Sequence, residues 1–137
     1  ILYLSAYIIR EKDEYYELLK NVTTLRRWNS WIIFMLKAIE ETSRYTISKI
    51  EEIDKLFSRT IELVNARYPS IRKEFIEKLF EQPYISPKKL LDKNIKSLNT
   101  AKKYLKQLED IGILIPEKIG KEMVYLNIDL FNILSES

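Results

Sequence analysis

The chain has 137 residues, of which 46% are hydrophobic and 31% charged, so it is long enough and apolar enough to bury a core. It contains no Cys and no His, which excludes disulfides, thiolate zinc sites and histidine general bases. The net charge is +3, and the excess is concentrated between positions 83 and 127, where nine lysines stand against five acidic residues. Because no stretch reaches the roughly 20 apolar residues of a membrane-spanning helix, we expect a cytoplasmic protein with no membrane partner.

The first segment, positions 1–10, predicts a helix that is apolar on almost every side. Such a helix needs packing partners all round. The chain starts at Ile1 rather than Met, and we interpret it as a fragment that begins inside a helix. A second helix is predicted from an Asp13 cap through Val22.

The longest helical signal runs from Trp28 to Tyr68 without a Pro or Gly, and Pro69 ends it. Apolar residues recur there at steps of three and four, which predicts a helix of about 60 Å. Thr42 and Ser43 thin the apolar stripe, so a bend is possible there. A helix of this length needs neighbours, and we therefore expect a homodimer.

The C-terminal part carries the signals of a compact module. A helix is predicted after Ser70, then a short extended piece at Tyr84, and then a helix that starts at Ser86 and Pro87. Another helix runs from the Ser97 region to Gly112. Two strands, 113–115 and 123–126, form a hairpin with its tip at positions 119–121, and Asp129 caps a last helix.

This order of elements predicts a winged helix-turn-helix. The fold class is therefore mainly α: a helical bundle segment with one long helix, followed by a winged helix-turn-helix with a small β-hairpin. The module would bind double-stranded DNA through polar side chains at the recognition helix and the hairpin. Those candidates are Lys96, Asn99, Thr100, Lys102, Lys103, Lys106, Lys118 and Lys121. The helix has no Arg, and lysines also solvate helix surfaces, so docking to a protein stays open as the alternative.

Three motifs in the first half resemble the Fic (filamentation induced by cAMP) family. They are "L-Y-L-S-x-Y-I" at the start, "K-D-x-Y-Y-x-L-L" from Lys12 and "W-x-x-W-I-x-F-x-L" from Trp28. They follow the order and spacing of the family, downstream of its catalytic loop. Several members carry a C-terminal winged helix, so the resemblance covers essentially the whole chain.

The resemblance implies a protein adenylyltransferase, which moves AMP from ATP onto a target protein with the help of magnesium. The His-Pro-Phe-x-x-Gly-Asn-Gly-Arg loop of the family is absent here, so we expect no catalytic residue, cofactor or metal site in this chain. ATP and magnesium are implied for the parent enzyme. By the same resemblance Tyr16 and Leu19 border the adenine pocket, with Tyr15 beside them. These three residues would otherwise be ordinary core residues.

We therefore predict two domains, the C-terminal helices of a Fic-like domain at 1–68 and a winged helix-turn-helix at 69–137. The predicted function is that of a non-catalytic part of a Fic-type adenylyltransferase. It would provide a helical scaffold, part of the nucleotide pocket wall and a module for regulation, docking or DNA binding. The alternative is a stand-alone transcriptional regulator with a helical dimerisation domain. The partners expected are a second copy of the chain and the target protein of the parent, with double-stranded DNA as the partner if the module binds DNA.

Overall fold

A computed structural model describes residues 3–136 and shows a mainly helical chain with a small antiparallel sheet near its C-terminal end. In chain order the helices are α1 Leu4–Arg10, α2 Lys12–Leu25, α3 Trp28–Arg67, α4 Lys73–Leu79, α5 Leu98–Asp110 and α6 Ile128–Ser135. The strands are β1 Tyr84–Ile85, β2 Leu114–Ile119 and β3 Glu122–Asn127, and a 3₁₀ helix spans Pro87–Leu90. The predicted fold class, with one long helix and a C-terminal hairpin, is confirmed.

The chain divides into two compact units, Ile1–Glu51 and Glu52–Ser137, and α3 contributes residues to both. The predicted domain boundary between positions 68 and 69 stays a prediction. Helix α3 is continuous, without a break at Thr42, because no Pro or Gly interrupts its backbone hydrogen bonds. Among residues 3–136 no helix is both long enough and apolar enough to cross a bilayer.

The first unit packs around a small aromatic core. Tyr7 of α1 meets Phe34 of α3 with ring centroids 5.8 Å apart, and Ala38 completes the buried cluster. The predicted first helix begins at Leu4 in the structure, and its first two predicted residues lie outside the described range. Helix α2 starts at Lys12, so Asp13 lies in its first turn and is not the N-cap. The Asp13 carboxylate there interacts favourably with the positive end of the helix dipole.

The turn between α2 and α3 contains Arg26, which adopts a left-handed backbone conformation with φ of 52°. Its backbone N–H donates to the carbonyl of Asn21 and so closes the end of α2. Glycine usually occupies such a position, and because Arg stands there the sequence did not predict this conformation.

The core of the second unit is larger. Val64 of α3 is fully buried against side chains of α4, α5 and the sheet. Helix α5 has a strongly amphipathic pattern and buries its Ala101, Leu105 and Leu108 side. After Ile111, Gly112 has φ of 81°, and the N–H groups of Gly112 and Ile113 donate to the carbonyls of Glu109 and Leu108. These two bonds close the C-terminus of α5, as predicted from Gly112.

The predicted helix after Ser86 is only a short 3₁₀ helix in the structure. Ser86 makes no side-chain cap bond, and Leu91 is already extended. The Asp92 carboxylate accepts hydrogen bonds from the N–H groups of Asn94 and Ile95, at 2.7 and 2.9 Å. A side chain that bonds to nearby backbone in this way competes with helix formation.

The sheet has the strand order β1-β3-β2, with both neighbouring pairs antiparallel. Its inner face places Ile85, Leu114 and Tyr125 against the core. Asn127 at the end of β3 is buried, and its side chain donates to the carbonyl of Leu79 and accepts from the N–H of Leu130. Asn127 therefore caps α6, whereas the sequence had suggested Asp129.

Candidate nucleotide and nucleic-acid sites

The three residues proposed to border an adenine pocket lie together on α2, but in different environments. Tyr15 is half-buried, with its ring centroid 5.2 Å from that of Trp31 and 6.2 Å from that of Phe34. Tyr16 is 57% exposed and Leu19 is 37% exposed, although both are apolar side chains. Tyr15 is thus part of the first core, while Tyr16 and Leu19 present a surface.

Tyr16 and Leu19 are three residues apart on a helix and therefore neighbours on its surface. The Tyr16 ring is held edge-on against Tyr15, with centroids 5.5 Å apart. A supported aromatic ring beside an aliphatic side chain suits the flat face of a purine. Neither residue carries a positive charge that would attract phosphates, and residues 3–136 hold no group of three acidic side chains placed to bind a metal ion.

The lysines of α5 lie on the side opposite its buried residues. Lys102, Lys103 and Lys106 are all exposed, as is Asn99 near the N-terminus of the helix, and Thr100 is half-buried. Lys96 is exposed in the loop just before the helix. The structure thus brings six of the eight predicted nucleic-acid residues to α5 and its preceding loop.

Lys106 differs from the other two lysines because its charge is already compensated. Its Nζ lies 3.2 Å from Glu109 Oε1 and 3.3 Å from Asp110 Oδ1. Hydrogen bonds to Glu109, and then to Asp110, raise the pKa of Lys106 above its usual value. Neither Lys102 nor Lys103 has an ion pair within the described range. Two of the three α5 lysines therefore retain an uncompensated charge.

The hairpin carries equal numbers of opposite charges. Lys118 pairs across the strands with Met123, and Lys121 lies beside Gly120, whose φ of 64° forms the tip. Glu117 pairs with Val124 and Glu122 pairs with Ile119, which puts both carboxylates on the other face of the hairpin. The two predicted phosphate-binding lysines are thus matched by two acids a few residues away.

An ion pair that sequence reasoning missed holds the loop before α5. Lys78 Nζ of α4 pairs with Asp92 Oδ2, and it also donates to the carbonyl of Leu90. The hydrogen bond from Lys78, followed by those from Ile95 and Asn94, lowers the pKa of Asp92 to about 2. The pair fixes the loop that leads into α5. The two residues are 14 positions apart, and no periodicity relates them.

A cleft of about 330 Å³ lies beside this ion pair. Phe75 and Tyr104 form its aromatic part, with ring centroids 5.4 Å apart, and Arg72 and Lys93 line it as well. None of the predicted site residues lines this cleft. The sequence offered no signal for it, because its walls come from α4, the loop before α5, and α5 itself.

The described residues form a set of helices with a C-terminal helix-and-hairpin module. A family model described as "Protein adenylyltransferase SoFic-like, C-terminal domain" matches residues 56–130, which is more than half of the chain. The chain belongs to this family. The predicted relationship to Fic proteins is thereby confirmed. The match begins on α3 and ends in α6, so it does not include Tyr15, Tyr16 or Leu19.

Proposed function

We propose that this chain is a non-catalytic scaffold and docking part of a Fic-type protein adenylyltransferase, and that its winged helix-turn-helix module binds a protein in preference to DNA. The charge distribution on α5 and the hairpin carries this proposal. Lys106 is paired with Glu109 and Asp110, and the hairpin has no net charge, since it carries two acidic residues and two lysines. A duplex-binding surface needs an uncompensated positive field along the phosphates.

Duplex DNA binding is the second candidate, because Lys102 and Lys103 are exposed and unpaired within the described range on the helix that would enter the groove. Few such charges are available, however. A protein that makes six to ten phosphate contacts loses about 10³–10⁵ in affinity between 50 and 200 mM salt. Two or three contacts support only weak, non-specific binding.

We therefore expect the full chain to show no salt-sensitive affinity for duplex DNA beyond a non-specific dissociation constant of about 10⁻⁴ M or weaker. Fluorescence anisotropy with random and operator-like duplexes, repeated over a salt series, measures this. The double variant Lys102→Glu and Lys103→Glu should then behave as the unmodified chain does. The control is Lys55→Glu, an exposed lysine on α3.

The DNA-binding alternative gives the opposite pattern. Tight binding with a steep salt slope, abolished by the α5 double variant and retained by the Lys55→Glu control, would replace protein docking with DNA recognition. The same outcome would revive the transcriptional-regulator hypothesis.

We further propose that Tyr16 and Leu19 form part of the wall of the adenine pocket in the complete enzyme, with ATP and magnesium as the cofactors of that enzyme. The exposure of both apolar side chains supports this assignment. Tyr15 acts as a positioning residue, because its ring supports Tyr16 and is itself held by Trp31.

We expect Tyr16→Ala to raise the KM for ATP of the full-length adenylyltransferase roughly tenfold, because stacking on an aromatic ring contributes about 1–3 kcal/mol per base. Steady-state AMP transfer at varied ATP concentration measures it. Leu25→Ala is the matched control, since Leu25 is an equally exposed apolar residue on α2, 56% against 57%. An unchanged KM in the Tyr16 variant would remove this residue from the pocket wall.

A further inference from the structure

The sheet of the second unit has an outer face that is largely apolar. Strand register places Tyr84, Leu126 and Ile115 in one row across the three strands, followed along the hairpin by Val124 and Ile119. We call these five residues the outer sheet face. Tyr84 is 38% exposed, Ile115 45% and Ile119 58%, whereas Val124 and Leu126 are half-buried.

Only one end of this face is covered within residues 3–136. The ring of Phe131 in α6 lies against Tyr84, with centroids 6.1 Å apart. Toward the hairpin tip, Ile115 and Ile119 stay open to solvent. Isolated exposed apolar residues are common, but several of them on one side of a small sheet favour an interaction surface.

The charged residues on this side of the hairpin have a single sign. Glu117 and Glu122 alternate with the apolar side chains and point to the same side as Ile119. Neither carboxylate has an ion pair within the described range. Lys118 lies on the other side of the hairpin, opposite Met123. A partner seated on the outer sheet face therefore meets apolar side chains with two carboxylates among them, Glu117 opposite Val124 and Glu122 opposite Ile119.

The β2 edge of the sheet is poorly suited to pairing with a strand of another protein. Strand β2 is an edge strand, and Pro116 lies within it. A proline has no N–H to donate, and edge prolines and lysines discourage the addition of another strand. Addition of a strand at β2 is therefore disfavoured, and this leaves the face of the sheet beside β2 as the surface for a partner.

We infer that the outer sheet face binds a basic amphipathic helix of a partner protein, with apolar residues on one side and Lys or Arg along the borders. This inference rests on the proposed protein-docking function and names the surface and the chemistry of the partner. The apolar side of the helix would cover Ile115 and Ile119. Its basic borders would meet Glu117 and Glu122, since complementary charges set orientation and partner choice.

Two designed helical peptides test the inference on the full chain. They share one leucine face and differ only in flanking residues, which are lysines in one peptide and glutamates in the other. We expect the lysine peptide to bind at least about tenfold more tightly and to shift backbone amide signals of β2 and β3, a difference of about 1.4 kcal/mol. NMR titration of the labelled chain gives both the site and the affinity.

Two variants make the test specific. The double charge reversal Glu117→Lys and Glu122→Lys should invert the peptide preference, because it changes only the sign of the border. Ile115→Ser with Ile119→Ser should remove binding without unfolding the unit, since both side chains are exposed. Ile9→Ser, at a residue 72% exposed on α1, should change nothing.

Equal affinity for the two peptides, shifts confined to α3 or α5, or insensitivity to the charge reversal would each overturn the inference. Self-association through β2 and β3 would assign the surface to a second copy and overturn it as well. These failures differ from failure of the proposed function, which shows as salt-sensitive duplex binding by α5.

Discussion

Replacing Leu105 by Ala is expected to lower the free energy of unfolding of the second unit by about 2–5 kcal/mol, the range for large-to-small changes in a packed core. Leu105 has no exposed surface and lies on α5 between Ala101 and Leu108, in the centre of the larger core. Domains have only about 5–15 kcal/mol of stability, so the variant would lose much of it. A larger fraction of the molecules would then be unfolded in this unit and unable to bind a partner through it.

Tryptophan fluorescence is not a suitable measure of unfolding for Leu105→Ala, because Trp28 and Trp31 both lie in the first unit and do not report on α5. Hydrogen exchange of the α5 amides under native conditions gives the local free energy directly. Lys103→Ala is the control on the same helix, and a change within about 0.5 kcal/mol is expected for an exposed site. Equal protection in the two variants would contradict the assigned core.

The double variant Ile32→Glu and Leu36→Glu is expected to be a monomer where the unmodified chain is a homodimer. We propose that the chain self-associates through one side of α3, where apolar side chains recur at steps of three and four, apart from one gap between Ile39 and Ile47, and remain exposed. These residues are Trp28, Ile32, Leu36, Ile39, Ile47 and Ile50. Full burial of an Ile or Leu side chain contributes about 1.5–3 kcal/mol, and the carboxylates would instead carry a desolvation penalty of several kcal/mol each. The dissociation constant should rise at least about 100-fold.

Sedimentation velocity over a concentration series measures the association. Ser30→Glu with Lys37→Glu is the matched control, because both residues are exposed on α3 and lie away from the apolar side. If the unmodified chain sediments as a monomer at every concentration, the dimer proposal is wrong. If it dimerises and the Ile32 and Leu36 variant does too, the interface lies elsewhere.

Sequence reasoning succeeded where a single periodicity or one special residue determines the structure. The apolar repeat and Pro69 located α3 within a residue, and Gly112 correctly marked the end of α5. The ion pairs of Lys106 were foreseeable too, since Glu109 and Asp110 are three and four residues away on one helix. The Fic-like motifs pointed to a family that the match at 56–130 then confirmed.

The rest depended on contacts between distant residues or on competing local bonds. Where a helix was predicted after Ser86, the structure has a 3₁₀ helix followed by a loop in which Asp92 binds the backbone of Asn94 and Ile95, a turn that Asp and Asn favour. The cap of α6 is Asn127 and not the predicted Asp129, and the Asn127 amide also donates to the carbonyl of Leu79, 48 positions earlier. The exposure of Tyr16 beside a half-buried Tyr15 likewise needed the packing of α2 on α3.

The Lys78–Asp92 pair determines how the loop before α5 responds to pH. Because the pKa of Asp92 is lowered from 3.8 to about 2, its contribution to stability is complete above pH 4 and is lost only as the pH falls toward 2. The sequence has no His, the side chain that ordinarily titrates between pH 5 and 8, and no Cys. The Asp92 carboxylate therefore stays ionised through that range, and its hydrogen bonds to the loop before α5 are kept. A change in complex formation between pH 5 and 8 would therefore not come from titration of Asp92.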